Sequence, residues 1–244
     1  MGAESVHLHG FGEPLLDRNL AKKIRYLKER AIPFTYIVSN LALLKKSTID
    51  DLIESGLDKI DISFPTPWPS SSINLHTKLD RKKIVANIKL FQKMKNEKNS
   101  LTPKLVLSFH IKLDKKYHKI PGLKYSFDKL LRIGMKLRWG LNCDYKFMYL
   151  HNWVDSKKYR QFNSQMKPIS HCHISTDRVM KILWNGDVTL CSNDFDGKVK
   201  FGNIFESSIA SVWNSVEYIN TRRKMAEMKY NEIDPCRKCE RPFT

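Results

Sequence analysis

The sequence contains no apolar run long enough to span a bilayer, and its N-terminus has no basic stretch followed by an apolar one. These absences argue against a membrane-spanning helix and a secretory leader, so the expectation is a soluble, cytoplasmic protein. Cysteine is scarce, with five in 244 residues. That count is both odd and low for a disulfide framework in a cytosolic chain of this size. None lies before Cys143, and four fall between Cys172 and Cys239. This distribution suggests four ligands and one bystander, Cys143, which is expected on a strand as a buried, apolar-type residue. Acidic residues are also few, 25 against 43 basic ones, which leaves a formal net charge of +18. The lysines spread through Lys22–Lys28, Lys45–Lys46, Lys78–Lys98 and Lys112–Lys119 with no interleaved aromatics or glycine-rich arms. That pattern points to solvated faces rather than a nucleic-acid surface, though the charge would still help an acidic substrate or partner arrive. There is no internal repeat and no low-complexity segment.

The length suits one large domain, or one medium and one small. The first two-thirds alternates short apolar runs with helix-period runs. Strands are expected over Ser5–His9, Phe34–Ser39, Lys59–Phe64, Lys104–Leu113 and Met135–Trp139. Helices are expected over Asp17–Arg30, Thr48–Ser55, Leu79–Lys98 and Phe127–Ile133. Gly56 should stop the second helix, and Pro65–Pro69 reads as a loop. Strand–helix alternation of this kind predicts parallel strands joined by helical crossovers. From about Lys167 the pattern changes. Two β-rich runs, Val179–Trp184 and Val188–Ser192, flank Asn185-Gly186, a hairpin signal in which both turn residues would take positive φ. Gly202-Asn203 marks another turn, Ile209–Trp213 and Val216–Met228 look helical, and Pro235 ends regular structure before Cys236. A boundary near residues 155–168 divides the chain into units of about 1–160 and 161–244.

Strand parity carries functional information. Val6 and Leu8, then Ile60, Ile62 and Phe64, then Leu105, Leu107, Phe109 and Ile111 each share a face that crossover helices can cover. His7, His9, Asp61, Ser63, Ser108 and His110 fall on the opposite face. A closed structural barrel fills its interior with branched apolar residues, so a polar interior suggests either a ligand cavity or polar groups that satisfy one another and water.

Cys236-Arg237-Lys238-Cys239 forms a C-x-x-C knuckle, and Cys172 and Cys191 bracket the Asn-Gly hairpin. Together they supply four thiolates, the number that tetrahedral zinc or an iron–sulfur cluster requires. One knuckle with one widely split pair favours a cluster, but spacing alone leaves both metals open. Arg237, Lys238 and Arg241 would soften the charge of the ligated thiolates.

Two segments resemble a known family. Leu8-His9-Gly10-Phe11-Gly12-Glu13-Pro14-Leu15-Leu16 resembles the Gly-Glu-Pro motif of radical S-adenosylmethionine (SAM) enzymes. The run from Cys172 to Cys239 resembles their SPASM/twitch extension, through Gly186, Cys191, Gly202-Asn203-Ile204, Trp213-Asn214 and Asp234-Pro235-Cys236. Asn40 and the pair Asn152-Trp153 fit the same pattern. The resemblance implies an α/β fold, a partial (β/α)6 TIM-like barrel followed by a small cysteine-rich α+β domain. It implies that Gly12, Glu13 and Pro14 hold the methionine amino end of SAM and that Ser39, Asn40 and Ser63 line its pocket. Cys172, Cys191, Cys236 and Cys239 would bind an auxiliary 4Fe–4S cluster. The implied activity is an oxidoreductase reaction in which a deoxyadenosyl radical abstracts a substrate hydrogen. The substrate would be a small molecule or a peptide, and flavodoxin or ferredoxin the electron donor. The family's C-x-x-x-C-x-x-C loop is missing upstream of Leu8, where only seven residues stand and none is cysteine. The expectation is therefore an N-terminally truncated barrel without its first strand, inactive in radical chemistry as written.

The other reading, a non-catalytic iron–sulfur or zinc protein that binds nucleic acid, makes a separable prediction. Weak binding to duplex DNA at physiological salt is expected in a filter-binding series, whereas tight binding with a steep salt slope would support that reading.

Overall fold

The strand–helix alternation folds into a parallel sheet. The computed structural model describes residues 2–64, 79–111, 130, 133–134, 136–141, 143–149, 172, 174, 178–194, 196–234 and 236–239. The chain divides into two compact units, Met1–Tyr149 and Leu150–Thr244. The expected boundary at 155–168 lies outside the described residues, as do Pro65–Pro69 and Asn152-Trp153.

In the first unit the strands are β1 (Ser5–His7), β2 (Phe34–Ser39), β3 (Lys59–Phe64), β4 (Lys104–Ile111) and β5 (Asp144–Tyr149). All neighbours are parallel and the spatial order is β1-β2-β3-β4-β5, so each strand lies beside its successor. Helices α1 (Leu20–Glu29), α2 (Lys46–Glu54) and α3 (Arg81–Glu97) lie between strands in the chain. Ile37, Ile60, Ile62, Phe64, Leu105, Leu107 and Phe109 are buried with Leu20 and Ile24 of α1, Ile49 and Leu52 of α2, and Ile84, Ile88 and Phe91 of α3. Each such side chain contributes about 1.5–3 kcal/mol on burial, and this face supplies most of the unit's cohesion. Asp80 caps α3, its carboxylate accepting from the Lys82 and Lys83 amides. Past α2, Gly56 takes φ 77° as a helix stop should.

Element boundaries shift from the expected ones by one to three residues, as helix and strand ends do. One element is a true correction. Residues 136–139 are helical, not a strand, and the last strand of the sheet is Asp144–Tyr149. The alternation in Met135–Trp139 is too short to separate period 2 from a helical turn. Gly140, at φ 60°, ends the helical turn by donating from its amide to Lys136 O. Cys143 therefore sits in the bend just before β5, half-buried against the core.

Asp58 locks the start of three strands. Its carboxylate accepts from Lys28 Nζ at 2.5 Å, from the Thr35 amide at 2.6 Å and from Thr35 Oγ1 at 2.9 Å. Its amide bonds Thr35 O, and its carbonyl accepts from the Lys104 amide. Burial pushes the Asp58 pKa up, but the Lys28 and Thr35 donors more than offset this and the net shift is down.

The second unit holds a three-stranded antiparallel sheet, β6 (Lys181–Ile182), β7 (Asp187–Thr189) and β8 (Lys200–Asn203), followed by α4 (Ile209–Trp213) and α5 (Val216–Ala226). Val188, Leu190, Phe201, Val212, Tyr218 and Met225 form its core. Ser208 and Ser215 cap the two helices. The Asn185-Gly186 hairpin is present, but its turn differs from the expected one. The Leu183 amide bonds Asp187 O and the Gly186 amide bonds Leu183 O, so Trp184, Asn185 and Gly186 form a three-residue loop. Only Gly186 has positive φ, at 84°; Asn185 does not. A turn followed by one left-handed glycine is the usual three-residue solution. Among the described residues no helix is long and apolar enough to cross a membrane.

Two stability outcomes follow. Asp58→Asn is expected to lose about 1–3 kcal/mol near neutral pH, because the remaining amide oxygen can still accept from Thr35 but lacks the charge that Lys28 and Thr35 share at Oδ2. A depressed carboxyl pKa stabilises above its unfolded value of about 3.9, and that contribution is lost as pH falls through the lower folded value. Urea titrations should therefore show the native–variant difference shrinking below about pH 4. Gly186→Ala is expected to cost a similar 1–3 kcal/mol or so, because its Cβ would stand 2.6 Å from Asn203 Oδ1 and 2.6 Å from Phe205 Cδ2. Thermal denaturation would show it.

Candidate metal centre and the Glu13 loop

Gly12-Glu13-Pro14 follows β1 at the C-terminal ends of the parallel strands, where loops are free to carry chemistry. Pro14 is buried and opens a single 3-10 turn, Pro14–Leu16. Both oxygens of the Glu13 carboxylate accept hydrogen bonds. Oε1 accepts from the Leu15 amide at 3.1 Å and from Ser39 Oγ at 2.6 Å, and Oε2 accepts from the Asn40 amide at 3.1 Å. Ser39, 2% exposed, in turn accepts from the Leu41 amide at 3.0 Å. Asn40 Oδ1 accepts from the Ala42 amide at 2.8 Å. Leu41 is buried at φ 57°, a left-handed conformation that a leucine adopts only when its surroundings enforce it. Asn87 of α3 helps to do so, donating to Leu41 O at 2.7 Å. Thus the loop after β1 and the loop after β2 are tied together through one carboxylate. Beside Gly12 there is open space: a Cβ built there meets no atom within 4 Å.

Ser63 is half-buried on the second face of the sheet, paired across β3 and β4 with Ser108. Asp61 lies on that face too, as do His7 and His9, whose rings pack on Tyr36 at 4.2 and 4.7 Å. His110 continues the row in register, and its side chain lies outside the described residues. Sequence reasoning missed Lys59 and Lys146, which form ion pairs with Asp61, and Tyr36. The parity of β2 and β3 could have found Tyr36 and Lys59. Lys146 required the correct fifth strand.

Cys172, Cys191, Cys236 and Cys239 are all half-buried, and none forms a disulfide. Cys172, Cys191 and Cys236 pack against the second core. The Cys236 thiol is pushed up to about 12 by burial, then by the charges of Cys191, Cys172, Cys239 and Asp194. All four sulfurs therefore share one electrostatic neighbourhood. The Asn193 amide donates to Cys191 Sγ at 3.2 Å. Asp194, 2% exposed, is held by the Lys198 and Val199 amides. Lys181, half-buried, interacts electrostatically with Cys191. Arg237, expected in that role, pairs with Asp234 at 3.4 Å, and the side chains of Lys238 and Arg241 lie outside the described residues. Among the described residues no three His, Cys, Asp or Glu side chains stand close enough to share a single ion.

Residues 172–240 match SPASM, an iron–sulfur cluster-binding domain. The whole chain shares its fold with three solved structures. Among solved structures it is similar to BtrN in complex with AdoMet and 2-DOIA, at 16% identity and TM-score 0.57, over 96% of this chain and 72% of that one. It is similar to Streptococcus suis SuiB bound to S-adenosylmethionine, at 18% identity and TM-score 0.57, over 97% of this chain and 61% of that one. It is also similar to hexahistidine-tagged anSMEcpe with bound AdoMet, at 16% identity and TM-score 0.52, over 97% of this chain and 70% of that one. No curated protein matches the chain by sequence.

Cys143 stands apart from the SPASM cysteines. Burial pushes its thiol up to about 12, so it stays protonated near neutrality. Alkylation by iodoacetamide at mildly alkaline pH, followed by mass spectrometry, is expected to label it at least about tenfold more slowly than free cysteine.

Proposed function

We propose that the chain is a radical SAM oxidoreductase-type protein whose sheet is part of a (β/α)6 barrel. In this reading it binds SAM at the strand ends and holds an auxiliary 4Fe–4S cluster on Cys172, Cys191, Cys236 and Cys239. The observation that carries the reading is the match of residues 172–240 to an iron–sulfur cluster-binding domain, within which Cys172, Cys191 and Cys239 all act electrostatically on Cys236. Four thiolates around one zinc, with Zn–S of about 2.3 Å, would stand about 3.8 Å apart. No such tight group occurs among the described residues. A cluster is bulkier and holds its thiolates further apart, because each binds a different iron. When bound, such a cluster supplies one-electron transfer. The chain's own residues set its surroundings: the Asn193 amide and Lys181 offset charge on Cys191, and the apolar core limits solvent.

At the other site the roles of the motif residues separate. Glu13 and Ser39 tie the two loops together, and Glu13 Oε2, which accepts one bond, keeps a lone pair for the amino end of SAM. Gly12 presents bare backbone to open space, which is where a ligand can approach most closely. In the same reading Asn40 and Ser63 line the SAM pocket. The substrate is a small molecule or a peptide, and flavodoxin or ferredoxin would supply electrons. Reductive cleavage of SAM needs three further thiolates, and no cysteine lies before Cys143. The reading therefore gives these 244 residues SAM binding, substrate binding and the auxiliary cluster. A nucleic-acid-binding role has no comparable support in the geometry.

Anaerobic reconstitution of the chain is expected to yield about four irons and four sulfides, with Cys191→Ser and Cys236→Ser losing most of both and Cys143→Ser losing neither. A chain that takes up no iron or sulfide rules the cluster out. Gly12→Ala is expected to leave the thermal midpoint unchanged, since its methyl meets no protein atom. The same variant should weaken SAM binding about tenfold in calorimetric titration. Unaltered SAM affinity would remove Gly12 from the site.

A further inference from the structure

The second face of the N-terminal sheet carries a polar cluster that neither the cysteines nor the Glu13 loop uses. Asp61, 2% exposed, stands between two ammonium groups. Lys146 Nζ donates to Oδ2 at 2.5 Å, and Lys59 Nζ lies 3.0 Å from Oδ1. The Lys59 approach is off the hydrogen-bond line, so the buried Oδ1 accepts no hydrogen bond among the described residues. Ser108, 1% exposed, is in the same condition: its Oγ is buried with no hydrogen-bond partner among the described residues. Register places Ser108 directly between Ser63 on β3 and Lys146 on β5. A buried hydroxyl with no hydrogen-bond partner, beside a buried carboxylate oxygen held by an ion pair but by no hydrogen bond, is costly in a folded protein and requires an explanation.

The chemistry of the open groups selects what would fill them. Asp61 Oδ1 requires a donor and repels an anion. Lys59 and Lys146, with three N–H groups each, repel a cation and keep donors to spare. Ser108 can donate or accept. A hydroxyl meets all of these demands, because it donates to the carboxylate while accepting from an ammonium or from Ser108. A molecule with several hydroxyls meets them repeatedly, whereas a peptide backbone offers one donor and one acceptor that diverge.

We propose that Asp61, Ser108 and Lys146 bind a hydroxyl group of a neutral, polyhydroxylated small-molecule substrate on this face of the sheet. The inference rests on the functional reading above and narrows its substrate from small molecule or peptide to a polyol.

The test uses the full chain, reconstituted with iron and sulfide and labelled with nitrogen-15. It is titrated at fixed ionic strength with glycerol, myo-inositol and glucose, and with acetate as the charged comparator. The amide signals of Ser63 and Ser108 are the readout. Saturable shifts with at least one polyol and none with acetate are expected. Ser108→Ala should weaken polyol binding about fivefold, the worth of one hydrogen bond, with the thermal midpoint unchanged or raised. Lys93→Met, at a position 72% exposed on α3, should leave binding as it was. The inference is overturned if acetate saturates these signals and the polyols do not, or if Ser108→Ala binds as well as the native chain. It is equally overturned if no titrant gives a saturable shift, since a buried water is then the only occupant. Iron content on the same samples separates the two readings. Saturable shifts without iron sink the cluster alone, and iron without shifts sinks the polyol site alone.

Discussion

A parallel strand between crossover helices must bury one face, and in this chain only one face of each strand can be buried without cost. Ile60, Ile62 and Phe64 of β3 meet that demand, as do Leu105, Leu107 and Phe109 of β4. The period of two then sends Asp61, Ser63 and Ser108 to the other side. A slip of one residue would exchange the two sets and place a carboxylate in the apolar core. The hydrophobic demand of one face thus fixes the address of every polar group on the other. The same registration sets the strand ends level, so that the loops after β1 and β2 meet at Glu13.

That meeting shows how a motif residue can have a second role. A glutamate in a recurring Gly-Glu-Pro run is easily taken as a ligand-binding side chain alone. Here its oxygens also accept from Leu15, Ser39 and Asn40, so it ties two loops together, and the glycine before it is exposed. The strained Leu41 beside Asn40 belongs to the same construction. Its left-handed backbone is held by Ser39 and Asn87, and it turns the chain sharply out of β2. The cost of that conformation is offset locally by hydrogen bonds that would otherwise be unmade.

The C-terminal unit answers a different constraint. It is too small to gain much from its apolar core, which comprises nine buried side chains among the described residues. Three of the four site cysteines pack directly on that core. Burial and the charges of the neighbouring cysteines and Asp194 both oppose ionisation of Cys236. The apolar contacts that stabilise the unit therefore also set the surroundings of these cysteines.

Periodicity and turn chemistry alone identified most strands, the long amphipathic helices, the two-faced sheet and the four cysteines as a set, because these depend on local spacing. The fifth strand was misplaced, since five alternating residues fit a helical turn as well as a strand and only packing chose between them. The hairpin loop gained a residue for a related reason: its length follows from which backbone groups pair across β6 and β7. What only the folded chain decided is who neighbours whom. Lys146 reaches Asp61 from 85 residues away, Glu13 accepts from Ser39, and Lys181 rather than Arg237 interacts with Cys191. Such pairings depend on three-dimensional proximity between distant segments, and a one-dimensional pattern does not encode that distance.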